Sequence, residues 1–486
     1  GYSSAASDVY KRQIQAVANF LWGTPMTIAL LGIGIYMTIK FKFKYQFSLK
    51  FMFQNSIGKL FKKGEKGEGT ISSFAAGCTA LASTVGVGNI AGVATAVTMG
   101  GPGAIVWMWV AGLVGMSTKA AEIILGQRYR VRYKSSNEFM CERAFVVRDA
   151  MGWKVGGFLV GLWCVISGPW SNLTQSEAFT NSIHEAFGID KRFILAFLGI
   201  TVFITVAGGL KRISAVAEKA VPFMAILYIV ACVGILVIFH DRIPAAFGSI
   251  FSHAFTPIAG IGGFAGATVR DAVRYGLARG MYSNDAGTGL GIVLHAPART
   301  DHPVRQSAWA WGEIFVDTIV ICTMTALTLI ITNSYIDYGD ITSGQLSTIS
   351  FRMAYGEWGA YLMAIILGFF VWTTIIALFY SCEKSLNFCL GKRRLTPVLK
   401  YAHICYYVLP LVFLSTLDVA AIWALQDLIS AVFILLTVTL IIGNRKEIMR
   451  LFHDFFDNYL PALKRGENPE PVIYGEVVDD EASAKA

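Results

Sequence analysis

The longest stretch without a charged side chain sets the class of fold. Residues 71–118 contain no Asp, Glu, Lys, Arg or His over 48 residues. As one helix this stretch would be about 72 Å long at about 1.5 Å per residue. The hydrocarbon core of a bilayer is about 30 Å thick. The stretch therefore predicts two membrane-spanning helices that turn near the Gly-Gly-Pro-Gly sequence at 100–103.

The composition of the whole chain agrees with a membrane protein. Charged residues make up 15% of the chain and hydrophobic residues 55%, whereas soluble domains are about 25% charged. Soluble, fibrous and disordered classes are thereby excluded for most of the chain. We predict an all-α polytopic membrane protein, with the lipid bilayer as its surroundings. The net charge of +9 is explained by basic cytoplasmic loops, so nucleic acid is not expected as a partner.

Eleven segments are long and apolar enough to cross a bilayer. They are 14–39, 71–98, 104–126, 155–184, 192–208, 219–239, 259–281, 307–332, 358–381, 401–417 and 419–443. With eleven spans, 34 of the 41 Lys and Arg residues lie on one side and 6 on the other, and Lys119 lies within span 3. Positive residues collect in cytoplasmic loops. This distribution predicts a multi-pass protein of the plasma membrane with its N-terminus outside and its C-terminus in the cytoplasm.

The spans divide the chain into predicted units. Residues 1–13 are expected to be a non-native or disordered leader, and 14–70 hold the first span and a basic loop. Residues 71–239 and 240–443 are two sets of five spans with inverted topology. Residues 444–460 read as an interfacial amphipathic helix, and the acid-rich residues 461–486 as a disordered tail.

Two glycine runs occupy corresponding places in the two five-span sets, at 83–92 in span 2 and at 260–268 in span 7. Glycine in a membrane helix also serves close helix packing. Paired interruptions in two inverted halves, however, are typical of the binding site of a secondary transporter. An unwound segment frees N–H groups for a carboxylate and carbonyl groups for an ammonium group or Na⁺. The pattern fits an amino acid zwitterion with a small cation, although another small anion would also fit.

Polar side chains within the spans are further candidates. Thr373 and Thr374 in span 9 offer hydroxyl groups that suit a hard cation, or they bond their own helix. Gln175 in span 4 could reach a substrate or join helices. Lys119 and Glu122, one turn apart, are expected to pair with each other, with a gating or proton role as the alternative. For Glu313 and Asp317 in span 8, we expect contact with the basic loop 299–305, and the alternative is a proton relay.

Several short sequence motifs together resemble one transporter family. They are Val-Gly-Val-Gly-Asn-Ile-Ala-Gly at 85–92, Gly-Gly-Leu-Lys-Arg-Ile at 208–213, Ser-Asn-Asp-Ala-Gly at 283–287 and Thr-Asp-His-Pro-Val-Arg-Gln at 300–306. In these motifs the chain resembles the alanine or glycine:cation symporter (sodium:alanine symporter) family of the amino acid-polyamine-organocation superfamily. The resemblance implies a leucine-transporter-like 5+5 inverted repeat preceded by one extra helix. It also implies uptake of small amino acids with Na⁺, or with H⁺ in some members.

The resemblance also implies roles for single residues. Those expected to bind substrate are Gly86, Val87, Gly88, Asn89, Gln175, Phe179, Gly262, Gly263, Phe264 and Trp372. Those expected to bind Na⁺ are Ala82, Val85, Asn89, Thr373 and Thr374. The family often has Thr where this chain has Val87.

We therefore expect a Na⁺-coupled symporter of alanine or glycine that works by alternating access. The alternatives are an H⁺-coupled carrier or a carrier of another small zwitterion with the same fold, and, more distantly, a channel. No nucleotide-binding, metalloprotease or serine hydrolase motif occurs, so neither an enzyme nor an organic cofactor is expected. The oligomeric state is left open.

Overall fold

Apolar segments bounded by glycine and charged residues form helices, as the sequence predicts. The computed structural model describes residues 24–61, 66–258, 266–338, 344–391, 395–413 and 419–479. The predicted leader 1–13 and the start of span 1 lie outside these residues. The helices of the bundle are labelled α1 (Thr24–Lys40), α2 (Ser73–Thr84), α3 (Ala91–Gly100), α4 (Ala104–Arg128), α5 (Lys154–Phe187), α6 (Lys191–Ala207), α7 (Gly209–Ile238), α8 (Val269–Asn284), α9 (Trp309–Ile314), α10 (Thr323–Ile331), α11 (Glu357–Cys389), α12 (Pro397–Phe413) and α13 (Val419–Gly443).

Shorter elements join these helices. The α-helical ones are Lys44–Phe47, Leu49–Asn55, Arg143–Met151, Ile243–His253, Leu290–Leu294, Pro303–Gln306, Ser334–Asp337, Gln345–Tyr355, Arg445–His453 and Leu460–Lys464. Single 3-10 turns are Ile57–Phe61, Val87–Asn89 and His240–Arg242, and π-helical segments are Phe315–Cys322 and Asp454–Tyr459. The strands are β1 (Val131–Tyr133), β2 (Phe139–Met140) and β3 (Glu476–Val478).

Several predicted spans correspond to single helices. Span 3, predicted over 104–126, is α4, and span 9, predicted over 358–381, is α11. Within the described residues, five helices are long and apolar enough to cross a membrane, and the bent pair α2 and α3 makes a sixth. Helix length and apolarity therefore establish a membrane protein with several crossings.

The outer surface of the bundle is apolar at helical spacing. Along α6, Phe193, Phe197, Ile200 and Ile204 are 74%, 65%, 60% and 49% exposed. Residues three and four apart lie on one face of a helix. An exposed apolar stripe of this kind fits contact with lipid.

Four segments far apart in the chain meet at one end of the bundle. Thr70 N donates to Pro297 O over 2.8 Å, and Arg130 Nη1 donates to Ala298 O over 3.0 Å. Strand β3 pairs in parallel with β1, which pairs antiparallel with β2. These contacts bring the segments before α2, after α4 and after α8 together with the C-terminal tail.

The C-terminal region differs from its expected form. Phe452 and Phe455 of the predicted interfacial helix are buried in the protein, with ring centroids 4.8 Å from Phe41 and 5.8 Å from Phe51. The region 461–486, expected to be disordered, contains β3. The acid-rich composition of this region suggests disorder. Tyr474, however, packs on the main core, and the backbone of β3 adds a strand to β1.

Candidate functional site

The break between α2 and α3 is the centre of the site. The glycine run at 83–92 predicts this break, and the two half-helices are bent by 59°. Gly86 N would donate to Ala82 O in an intact helix. It donates instead to the side-chain Oδ1 of Asn89 over 2.9 Å. Asn89 N donates to Gly86 O rather than to Val85 O. The break therefore frees the carbonyl groups of Ala82 and Val85.

A threonine hydroxyl of α11 faces the two freed carbonyl groups. Thr374 Oγ1 lies 3.0 Å from Ala82 O and 3.3 Å from Val85 O. Oxygen ligands of this kind suit a hard cation such as Na⁺. Three of the predicted cation ligands are thus brought together, and their chemistry fits the ion.

The other two predicted cation ligands bond elsewhere. Thr373 Oγ1 donates to Phe369 O over 2.9 Å and approaches Met224 Sδ, because adjacent residues point about 100° apart around a helix. The side-chain oxygen of Asn89 accepts from Gly86 N, and its side-chain nitrogen donates to Asp317 Oδ1 over 2.6 Å. Both ends of this amide are therefore engaged away from Thr374.

Asp317 is a buried carboxylate beside the break, and the sequence analysis assigned it to other partners. It lies in the π-helical segment Phe315–Cys322 and is fully buried. Ser283 Oγ and Thr318 Oγ1 donate to its Oδ2 over 2.8 and 2.9 Å. The expected contact with the basic loop 299–305 is wrong for this residue. An acidic side chain within a span is itself a signal of function, and that signal could have placed Asp317 in the site.

The predicted pairing of Lys119 with Glu122 is also wrong. Lys119 Nζ lies 2.9 Å from Glu313 Oε2, and His295 Nε2 lies 2.5 Å from Glu313 Oε1. Glu122 accepts from the backbone N–H groups of Gly287 and Gly291. Residues three apart on one helix can pair, but packing against α9 and the segment after α8 gives both side chains nearer partners.

The predicted substrate residues separate into two groups. Gln175 Oε1 on α5 accepts from Val87 N over 3.2 Å, so that this side chain reaches the break. Phe179 is buried against Gly368 of α11, and Trp372 packs against the main core. Neither Phe179 nor Trp372 lines the cavity described below.

The predicted second break lies mostly outside the described residues, and with it Gly262, Gly263 and Phe264. The described chain resumes at Gly266. Thr268 then caps α8, and its Oγ1 accepts from Asp271 N over 3.2 Å. A helix start at this position is compatible with an interrupted span 7.

A cavity of about 940 Å³, including the part that opens to solvent, adjoins the break. Gly86, Gly88, Gln175 and Thr374 line it. It also has lining residues that the sequence analysis did not select, which are Arg143, Ser171, Asp285, Thr288, Ser381, Gln426 and Ser430. These residues come from helices and connecting segments far apart in the chain, so no local motif joins them.

Comparisons with known proteins bear on this fold and site. The profile of the sodium:alanine symporter family matches residues 7–471. Over 387 residues the chain is 35% identical to the sodium/alanine symporter AgcS of Methanococcus maripaludis, covering 78% of this chain and 84% of that protein. Over 472 residues it is 31% identical to the probable sodium/glutamine symporter GlnT of Bacillus subtilis, covering 96% and 94%. The crystal structure of a manganese transporter variant from Eremococcus coleocola has a similar fold, with a TM-score of 0.53, 13% identity and coverage of 84% and 92%.

Proposed function

Since the chain belongs to the sodium:alanine symporter family, it is a cation-coupled amino acid transporter and not an enzyme, and we propose that it couples Na⁺ entry to uptake of a small neutral amino acid, with alanine or glycine as substrate. The observation that carries this proposal is the group formed by Ala82 O, Val85 O and Thr374 Oγ1 at the helix break. These oxygens would hold Na⁺. The ion would link α2 to α11, and so link the two halves of the protein.

The substrate would bind at the same break. The N–H groups around Gly86 and Gly88 suit a carboxylate because a half-helix N-terminus favours negative charge. Gln175 on α5 would bound the pocket, since its side chain already contacts Val87 N. Gly262, Gly263 and Phe264 would offer carbonyl groups to the ammonium group.

Transport would follow alternating access in a fold of eleven crossings, with two inverted five-helix repeats after α1. Binding of substrate and ion would stabilise a closed state, and movement of one repeat against the other would open the opposite side. The end at which 66–71, 128–142 and 295–302 meet would face the cytoplasm of the cell, because it carries most of the positive charge.

Uptake into proteoliposomes tests this proposal. Radiolabelled alanine is supplied with an inward Na⁺ gradient or with choline at equal pH, and unlabelled glycine or glutamine is added as competitor. We expect Na⁺-dependent alanine uptake that glycine reduces. Uptake driven by a pH gradient without Na⁺ would contradict Na⁺ coupling, and stronger competition by glutamine than by glycine would contradict the substrate class.

A further inference from the structure

The cavity at the helix break extends along α11 to a second group of polar side chains. Thr374 and Ser381 line the same cavity and are seven residues apart on α11. At about 1.5 Å per residue they are separated by about 10 Å along the helix axis. Arg143 contacts Ser381, with Nη1 3.3 Å from Ser381 Oγ. The Arg143 end of the cavity is thus a distinct place from the break.

Arg143 is held in a fixed orientation at this end. Its Nη1 lies 2.6 Å from Glu142 Oε1, and its Nε donates to Thr288 O over 3.0 Å. The guanidinium group also lies over the ring of Phe433, 4.3 Å from its centroid. The side chain is 3% exposed, and its Nη2 makes no hydrogen bond with another residue that the structure describes. The Nη2 amino group of a buried cation therefore remains for a ligand.

Asp285 supplies the opposite charge to the same cavity. It ends α8 with a left-handed backbone (φ 54°). Its carbonyl oxygen accepts from the N–H group of Thr288, whose own carbonyl accepts from Arg143. Across the described part of the chain, no hydrogen bond or ion pair engages the Asp285 carboxylate. The nearby ammonium group of Lys119 pairs with Glu313 instead.

A third group points to a ligand in this part of the cavity. Gln426 lines it from α13, and its Nε2 donates to Ser430 Oγ over 3.1 Å. Its Oε1 is buried and lacks a hydrogen-bond partner among the described residues. A buried acceptor without a partner is destabilising. An ammonium group in the cavity would satisfy such an acceptor.

We propose that Arg143 and Asp285 form a second binding site for a small amino acid zwitterion, which binds its carboxylate through Arg143 Nη2 and its ammonium group through Asp285. This inference rests on the proposed function, because it assigns the same class of substrate to both sites. The ammonium group would give the Asp285 carboxylate the positive partner that it lacks among the described residues. A substrate that leaves the site at the break would bind this second, charged site before it reaches water.

The number of alanine molecules bound per chain tests the second site. The purified full-length chain in detergent is titrated with radiolabelled alanine in saturating Na⁺, beside Asp285→Asn and the control Asp149→Asn. Asn tolerates the left-handed backbone of position 285, and Asp149 is a partly exposed residue of Arg143–Met151 that pairs with Arg148. We expect two alanine molecules per chain for the wild type and for Asp149→Asn, and one for Asp285→Asn.

The other outcomes separate the two proposals. One alanine per wild-type chain overturns the second site even if Asp285→Asn does not fold, and so does an Asp285→Asn chain that binds two. Loss of all alanine binding in a folded Asp285→Asn chain also overturns the second site. That result would mean that Asp285 and the helix break belong to one site. A wild-type chain that binds none of alanine, glycine and glutamine contradicts the proposed function itself.

Discussion

At the scale of single residues, Thr373 and Thr374 show how one step along a helix changes the role of a hydroxyl group. Each hydroxyl contacts a carbonyl oxygen of its own helix, and that of Thr374 also faces the carbonyl oxygens that the break leaves free. Thr373 Oγ1 contacts no backbone oxygen outside α11 among the described residues. Both are buried, and the sequence assigned both to the cation. Side-chain direction, which the apolar sequence around these residues does not reveal, separates them.

Substitution of each threonine by valine tests this difference. Thr374→Val removes one oxygen ligand, and we expect the Na⁺ concentration for half-maximal alanine uptake to rise about tenfold, since about 1.4 kcal/mol of binding free energy corresponds to that factor. Thr373→Val removes a hydroxyl that bonds its own helix, so it should leave this concentration within about twofold. Equal effects of the two substitutions would contradict the assignment. Uptake is measured against external Na⁺ at fixed alanine.

At this scale the sequence is most informative about the backbone. The glycine run predicts the break, and the break by itself frees the carbonyl groups of Ala82 and Val85. The resemblance implies Phe179 and Trp372 at the substrate pocket, but neither lines the cavity at the break. The partners of Asp317 come from α8 and the helix break, and such tertiary contacts have no signature in local sequence.

At the scale of elements, the broken helix depends on two glycines that are not equivalent. A Cβ atom at Gly86 would lie 2.8 Å from Thr374 Oγ1 and 3.1 Å from Gln175 Oε1. A Cβ atom at Gly88 would lie 3.4 Å from the ring of Tyr282, which is ordinary van der Waals contact. The first glycine therefore lets α2, α5 and α11 approach one another, and the second does not have this role.

Alanine substitutions at the two glycines should differ accordingly. Gly86→Ala places a methyl group against Thr374 and Gln175, and overpacking of this kind costs about 1–3 kcal/mol. We expect Na⁺-dependent alanine uptake to fall by tenfold or more per amount of protein, whereas Gly88→Ala should retain at least half. Similar uptake by the two variants would show that close approach at Gly86 is not required.

At the scale of the whole molecule, one end of the bundle is assembled from segments of both predicted repeats and from the C-terminal tail. His302 lies in this assembly and is fully buried. Its ring contacts Phe455 and Tyr459, its Nδ1 accepts from Val304 N over 3.1 Å, and its Nε2 lies 3.3 Å from Asp454 Oδ2. Acceptance at Nδ1 requires a neutral ring, so protonation of His302 would disturb this end.

The stability of the protein should therefore depend on pH through His302. Burial lowers the pKa of His302 from 6.5 to about 4, although the hydrogen bond to Asp454 opposes this shift. Between about pH 6.5 and pH 4, His302 is protonated in the unfolded chain but neutral in the folded chain. The free energy of unfolding therefore falls as the pH is lowered across this range. His302→Asn keeps a side chain that can cap Pro303–Gln306 but does not titrate. Thermal unfolding in detergent should show a smaller loss from pH 6.5 to 4 for this variant, and parallel curves would contradict the prediction.

The parallel pairing of β1 with β3 has a consequence for the order of biosynthesis. The β1 strand follows α4 early in the chain, whereas its partner strand is synthesised after all of the helices. Arg130, next to β1, donates to the carbonyl group of Tyr474 just before β3. During translation the hydrogen bond from Arg130 to Tyr474 cannot form until the tail has been synthesised, which is after the intervening helices. All of the helices are therefore synthesised before β1 can pair with β3. Docking of the tail is then one of the last steps in the folding of the protein.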